Sequence, residues 1–571
     1  MQISRRLAVP VGLGLVACAL TGTAATADSA PAALVSGTVY TLTNVASGKL
    51  MDVHYGSTAP GAPVVQWSSN NGAHQQWLLT QTSSGAYTVR SANSGLCLDT
   101  PAPQSSIPQL VQNTCNGSGN QQWKIQPVGG GTTYTLVNAA NGLLVDNKQS
   151  LDKDGNEIIQ WPSNGGDNQR WTLTPAPAPL TRVGTYTAGL MYNGPSFTNQ
   201  SIRMVAHTTV AGSKLRVRLS NRYGTQPLTI DAVDLAQQGS NPGTAVPGTH
   251  HTVTFNGNAS VTIPAGQDIA SDPIPMTVAA NTNQLVSLHL PGTPAGTTWH
   301  AEAQQDAWVS SVGNHVTEDG LGNYPTKKWS WYFLEGLDVI SSTATGTLVC
   351  VGDSITDGAG STWGANRRWP DYLARRMNAA PGGPTLGVVD AGIGSNRVLT
   401  APNGNNPSLQ TRFAHDVLGQ PNVKDAILLE GINDIGSYIN KDGQPLTAEN
   451  LEDGIQSVID QAHAAGVKIF VGTILPFKTP DPAADGGRWK WSYWNTTKVK
   501  NPTGEQIRLD VNNWIRSNTS VDGVFDFATT MADPNDPQSL NPAYDSGDHL
   551  HPNDAGYQEM ANAVNLALLT P

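Results

Sequence analysis

Thr347-Leu348-Val349-Cys350-Val351-Gly352-Asp353-Ser354-Ile355-Thr356-Asp357-Gly358 is where the character of the chain changes. An apolar run of strand length ends in a Gly-Asp-Ser turn. From here on, such runs alternate with helical segments. Strands are expected at 347–353, 386–392, 426–432, 468–475 and 523–527, and helices near 368–379, 447–465, 503–517 and 553–569. Thr447-Ala448-Glu449-Asn450-Leu451 reads as a capped helix start and Gly466 as its stop. This alternation builds a parallel α/β sheet with crossovers. Active groups in such sheets gather at the carboxyl ends of the strands.

Three motifs fall there: Gly352-Asp353-Ser354 after the first strand, Gly431-Ile432-Asn433-Asp434 ending the third, and Asp548-His549-Leu550-His551 before the last helix. A lone serine is a weak nucleophile. It needs a base to take its proton and a third group to orient that base. Ser354, His551 and Asp548 supply the set. Each has an ordinary structural role as well: Ser354 as a turn or cap, Asn433 as an Asx turn, Asp548 and His551 as a capping pair. Asp353 and Asp434 read as hydrogen-bonding supports, and the sequence leaves open a paired-carboxylate site built on them.

Together the three blocks resemble the SGNH (GDSL-type) hydrolase family over about 345–571. The β-rich stretch before them is similar to one in secreted actinobacterial members. The resemblance implies a three-layer, flavodoxin-like α/β catalytic domain. It implies Ser354 as nucleophile, His551 as base and Asp548 as its orienting carboxylate. It also implies an oxyanion hole from the Ser354 N–H, the Asn433 amide and a backbone N–H after the second strand. Aligning Gly392-Ile393-Gly394-Ser395-Asn396-Arg397 with that third block puts Ser395 where the family has glycine. The N–H survives that change; the backbone angle glycine permits is the question. A one-residue shift would hand the role to Gly394.

Residues 181–342 read as short alternating strands, such as Lys214-Leu215-Arg216-Val217-Arg218-Leu219, between Gly/Pro/Asn turns. This is a β-sandwich or jelly-roll-like unit. His300 is expected to pack or bridge between domains. Pro175-Ala176-Pro177-Ala178-Pro179 before it is a stiff spacer, the linker 175–180.

Residues 34–174 carry one pattern three times. Tyr40, Tyr87 and Tyr134 open the copies, 47 residues apart. Asp52, Asp99 and Asp146 end a strand in each, and Gln75-Gln76-Trp77, Gln121-Gln122-Trp123 and Gln169-Arg170-Trp171 close them. Three copies at fixed period suggest threefold closure. Each Trp reads as core, and each Gln can hold a turn. The region resembles the ricin-B-type lectins, a β-trefoil. That resemblance implies sugar pockets at Asp52, Trp67, His74 and Gln75, at Asp99, Asn120 and Gln121, and at Asp146, Trp161, Asn168 and Gln169. The second pocket is the weakest, because Asn113 stands where the others have Trp.

Residues 1–27 read as an export signal: Arg5 and Arg6, the apolar stretch Leu7–Leu20, and a cleavage site at Ala25-Thr26-Ala27. Ser4-Arg5-Arg6 also fits a weak twin-arginine signal, and Leu15-Val16-Ala17-Cys18 a lipoprotein box. Simple secretion is preferred, because apolar character continues past Cys18. Of the remaining cysteines, Cys97 and Cys115 close a short loop and are the natural disulfide, while Cys350 reads as a buried thiol. The chain has 571 residues, 13% of them charged, and a net charge of −11 with no basic runs. That fits several domains, and nucleic acid is not expected as a partner. No membrane span, metal or cofactor is expected, and the chain reads as a monomer. His549 lies beside His551 without metal-ligand spacing around it. The insertion Trp489-Lys490-Trp491-Ser492-Tyr493-Trp494 reads equally as a sugar-stacking rim or a self-packed loop.

The combined expectation is a secreted serine esterase that removes acyl groups, acetyl foremost, from a glycan held by the lectin module. A lipase or phospholipase on the same triad, and a sugar-binding protein with an inactive hydrolase domain, are the alternatives.

Overall fold

The computed structural model describes residues 34–570 apart from 71, 102–107, 130, 177–179, 295, 381–385, 403–405, 438–439 and 479–503. The signal segment with Cys18, most of the Pro-Ala spacer and the aromatic insertion at 489–494 lie outside the described residues. Two units are separable, Met1–Ala178 and Pro179–Pro571.

The first unit is a β-trefoil. Its core is one cluster in which Trp77, Trp123 and Trp171 are each fully buried beside Tyr40, Tyr87 and Tyr134. Each indole N–H donates to a backbone carbonyl one residue before the strand-end Asp: Met51 (3.1 Å), Leu98 (3.2 Å) and Val145 (3.2 Å). A buried indole needs such an acceptor, so Gln-x-Trp closes each repeat by pinning its own strand. Cys97 and Cys115 are disulfide-bonded. Cys350 is free and buried.

The second unit begins as a sandwich. Thr181–Thr187, Gly212–Ser220 and Leu334–Ser341 belong to one antiparallel sheet, and Gln200–Thr208, Thr282–Leu290 and Ala307–Val312 to another. Val183, Leu215, Val217 and Val339 of the first share a core with Ile202, Met204, Val286 and Leu288 of the second. Inward-facing alternation on both sheets produces this packing.

The α/β part has five parallel strands: β1 Gly346–Gly352, β2 Leu386–Gly392, β3 Val423–Leu429, β4 Lys468–Gly472 and β5 Gly523–Phe525. Their order is β2-β1-β3-β4-β5, the flavodoxin-like arrangement. The strands are buried along nearly their whole length, as a sheet covered on both faces requires. The first helix, α1, is Ser354–Asp357, and α2 is Trp369–Ala379. Then come α3 Leu409–Phe413, α4 Ile432–Ser437, α5 Ala448–Ala464 and α6 Gly504–Ser517. After α7 Phe527–Met531, α8 Asp554–Ala563 ends the series. Among them α2 packs on α8 and α5 on α6. The capping box at Thr447 and Asn450 starts α5. The third strand stops at Leu429, short of the expected 432, because Gly431 turns the chain at φ +121°. Asn433 therefore sits in the first turn of α4.

Candidate active site

Strand order reverses beside β1, and three of the expected segments emerge there: Ser354 after β1, Gly394–Ser395 after β2 and Asn433 after β3. Gly352 allows the approach, since a Cβ there would lie 2.2 Å from the Leu429 carbonyl. Asp353 caps α1 by accepting the Ile355 N–H at 2.9 Å.

Ser354 Oγ lies 2.9 Å from His551 Nε2, and His551 Nδ1 lies 2.6 Å from Asp548 Oδ2. A carboxylate only accepts, so Nδ1 carries the proton and Nε2 is left to accept from the serine. Asp548 Oδ1 accepts the N–H groups of Leu550 (3.0 Å) and His551 (2.8 Å) and the Ser546 hydroxyl. Burial alone would raise Asp548. The His551 hydrogen bond and charge, with those two N–H groups, instead hold it well below the usual carboxylate range. It stays ionised and orients the ring.

Behind the serine lies a buried polar hub absent from the sequence reading. Arg412, 1% exposed, donates to the carbonyls of Gly352 (2.8 Å) and Ala391 (2.7 Å), to Asn396 Oδ1 (2.8 Å) and to Asp416 (2.9 Å). It ties the ends of β1 and β2 to the loop bearing Ser395. Asn433 Nδ2 donates to the Asn396 carbonyl at 3.0 Å, which joins the α4 turn to the same loop. Asp434 accepts the N–H groups of Val398 (2.8 Å) and Leu399 (3.0 Å). Burial pushes Asp353 up to about 7 and Asp434 up to about 6. Both are 1% exposed and engaged by backbone N–H groups. They are supports, and the paired-carboxylate alternative has no substrate-facing pair here. Burial, then the nearby Asp353, holds Glu430 well above its usual value, with Arg412 at 3.8 Å.

Ser395 adopts φ +61°, so a serine here takes the left-handed backbone that favours glycine, at about 1–2 kcal/mol. Gly394 gives its N–H to Asp357 Oδ2 at 3.1 Å. That N–H is thereby engaged inside the protein. His549 is bonded to Asp545 at 2.6 Å, apart from the triad.

In the trefoil, Gln75, Gln121 and Gln169 are each 1% exposed or less and work alike. Each donates to Oδ2 of its Asp, at 2.9, 3.0 and 2.8 Å. Each also accepts a loop N–H, from Asn70, Asn116 and Asn164. They hold the turns, and their amides are spent inside. Asn168 reaches Asp146 at 2.8 Å, and His74 lies 3.5 Å from Asp52. In the second repeat Asn120 is exposed, and Asn113 occupies Asp99 at 3.0 Å instead. Burial raises Asp52 and Asp146 against these bonds. Trp161 is 39% exposed, and Trp67 is half-buried beside Tyr55, itself 83% exposed.

Among the described residues, no helix is long and apolar enough to cross a membrane. Among the described residues, one His/carboxylate group has ligand-like spacing, Asp268, Glu335 and His415. Arg218 already pairs with Glu335 at 2.6 Å there, which makes it an ion-pair network.

Residues 350–559 match the GDSL-like lipase/acylhydrolase family, and residues 32–109, 100–161 and 119–191 match the ricin-type β-trefoil lectin domain-like family. Volkensin from Adenia volkensii is 32% identical over 102 residues, 18% of this chain and 18% of its own length. An exo-β-1,6-galactobiohydrolase from Bifidobacterium longum subsp. longum is 25% identical over 315 residues, 50% of this chain and 19% of its own. This chain thus spans under a fifth of either relative. A solved protein of the G-D-S-L family from Desulfitobacterium hafniense DCB-2 is 20% identical with a TM-score of 0.27, over 39% of this chain and 99% of that one. The chain carries a GDSL-like hydrolase domain and a ricin-type lectin domain, joined through a mostly β middle.

Proposed function

We propose that the protein is a secreted serine esterase that removes acyl groups, acetyl foremost, from carbohydrate, with the trefoil holding it on its glycan. The observation that carries this reading is the unbroken Ser354–His551–Asp548 hydrogen-bond chain at the sheet's switch point. Ser354 Oγ attacks the ester carbonyl while His551 Nε2 takes its proton. The tetrahedral oxyanion is met by the N–H groups of Ser354 and Ser395 and by the Asn433 amide. Collapse expels the alcohol, which receives the proton from His551. Water, deprotonated by the same ring, then frees the acid and restores Ser354.

Carbohydrate as the substrate class is supported by the lectin domain and by the galactobiohydrolase that matches half the chain. Tethering raises local substrate concentration without new contacts at the serine. Export is supported by the N-terminal signature and by the disulfide. The test is acetate release from acetylated xylan and p-nitrophenyl acetate by wild type and Ser354→Ala, alongside a series of longer acyl chains. Equal rates for the two proteins would sink the triad. A marked preference for long chains would replace the carbohydrate reading with a lipase.

A further inference from the structure

The β-rich sandwich reaches into the catalytic machinery through one side chain. His300, 1% exposed, ends Thr297–His300, the middle strand of a three-stranded sheet whose Trp331 and Tyr332 join the sandwich core. Its Nδ1 lies 2.7 Å from the Gly189 carbonyl oxygen, and its Nε2 lies 3.0 Å from Asp357 Oδ1 and 3.2 Å from the Glu302 carbonyl oxygen. Every partner of both ring nitrogens is an acceptor. A neutral imidazole would point a lone pair at one of them, so the geometry calls for both N–H groups. Asp357 ends α1, three residues after the nucleophile. Its other oxygen accepts the Gly394 N–H at 3.1 Å. One carboxylate therefore joins the nucleophile's helix to the oxyanion loop, and the imidazolium fixes that carboxylate.

We propose that His300 is a positioning residue for ester hydrolysis, a doubly protonated ring from the sandwich that anchors Asp357 and, through it, the Gly394–Ser395 backbone. The sandwich is then part of the active site rather than a spacer. Loss of His300 would free Asp357 to move and leave a buried carboxylate uncompensated beside the place where negative charge develops. The groups facing the ring agree. Asp357 pairs with it directly, and the Glu302 carboxylate feels both His300 and His551. Arg368, on the far side, sits 6.0 Å from the Trp331 ring that packs 5.2 Å from His300. Tyr186 lies edge-on to the same Trp331. Burial lowers His300, but the charge and hydrogen bond of Asp357, with the Gly189 and Glu302 carbonyls, carry it up to about 9. The ring stays charged through neutral pH and loses its proton as pH rises past that value.

The inference rests on the esterase reading for its readout, and the experiment separates the two. His300→Gln and His300→Ala are checked for folding by near-ultraviolet circular dichroism, then assayed on p-nitrophenyl acetate from pH 7 to 10. The expected result is a kcat lower by about 100-fold with KM unchanged. Wild-type kcat should also fall above about pH 9, a limb missing from His300→Gln. Folded variants with wild-type kcat, or a loss confined to KM, overturn the inference. If neither variant folds, the imidazole 15N shifts of His300 in the wild type at pH 8 decide: two protonated nitrogens support it and a neutral ring overturns it. A wild type without turnover would instead refute the esterase reading.

Discussion

The Asp–Gln clusters of the trefoil and the Ser354–His551–Asp548 cluster of the hydrolase domain solve the same problem, placing a few polar groups in fixed positions, by opposite means. Each trefoil cluster is local. Its Asp–Gln bond closes over 23, 22 or 23 residues, and the plan is repeated three times. The Ser354 cluster is built once, from distant segments. Ser354 and His551 are 197 residues apart, and the His300–Asp357 link joins two fold modules. Repetition gives three like clusters around a shared core; single construction gives one cluster that depends on every segment.

That contrast can be broken at the trefoil core. Trp77, Trp123 and Trp171 share one cluster, so damage to one should reach all three pockets. Trp171→Ala should cost the trefoil about 3–5 kcal/mol. Scanning calorimetry should show its transition falling while that of the remaining unit stays in place, and glycan binding should fail at every pocket together. A loss confined to the third repeat would show the repeats to be independent. A smaller effect sharpens the same point. Asp146→Ala removes the acceptor of both Asn168 and Gln169. It should weaken binding of the isolated residues 28–174 to a glycan by about tenfold, the worth of one charged hydrogen bond. Asp99→Ala should change it less, because Asn113 already occupies that carboxylate. Equal losses measured by titration calorimetry would mean that the second pocket also takes sugar.

The contrast also explains what the sequence disclosed. Tyr, Asp and Gln-x-Trp recur within short spans, so the trefoil could be read directly, including the turn-holding role of Gln. The Ser354, Asn433 and Asp548–His551 blocks were legible because each carries its own turn chemistry. The end of β3 was misplaced because Leu429-Glu430-Gly431-Ile432 looks continuously strand-like, and only the positive φ of Gly431 shows the turn. Arg412 is not legible in the sequence for a different reason. Its acceptors, Gly352, Ala391 and Asn396, come together only after the sheet closes. A lone arginine between Leu409 and Phe413 was the sole hint. His300 was legible as a bridge, but its partner was not, since nothing in Trp299-His300-Ala301 points to Asp357. Ser395 posed a question the sequence could raise and the backbone answers: the glycine angle is kept without the glycine.

Everything proposed for the catalytic domain depends on Ser354 being activated by His551 and Asp548. Its most direct test is covalent capture with a fluorophosphonate, read by intact mass and by the labelled peptide. The expected result is one adduct per chain, on Ser354, absent from Ser354→Ala and strongly slowed in Asp548→Asn. A folded wild type that takes no label, or takes it elsewhere, would contradict it.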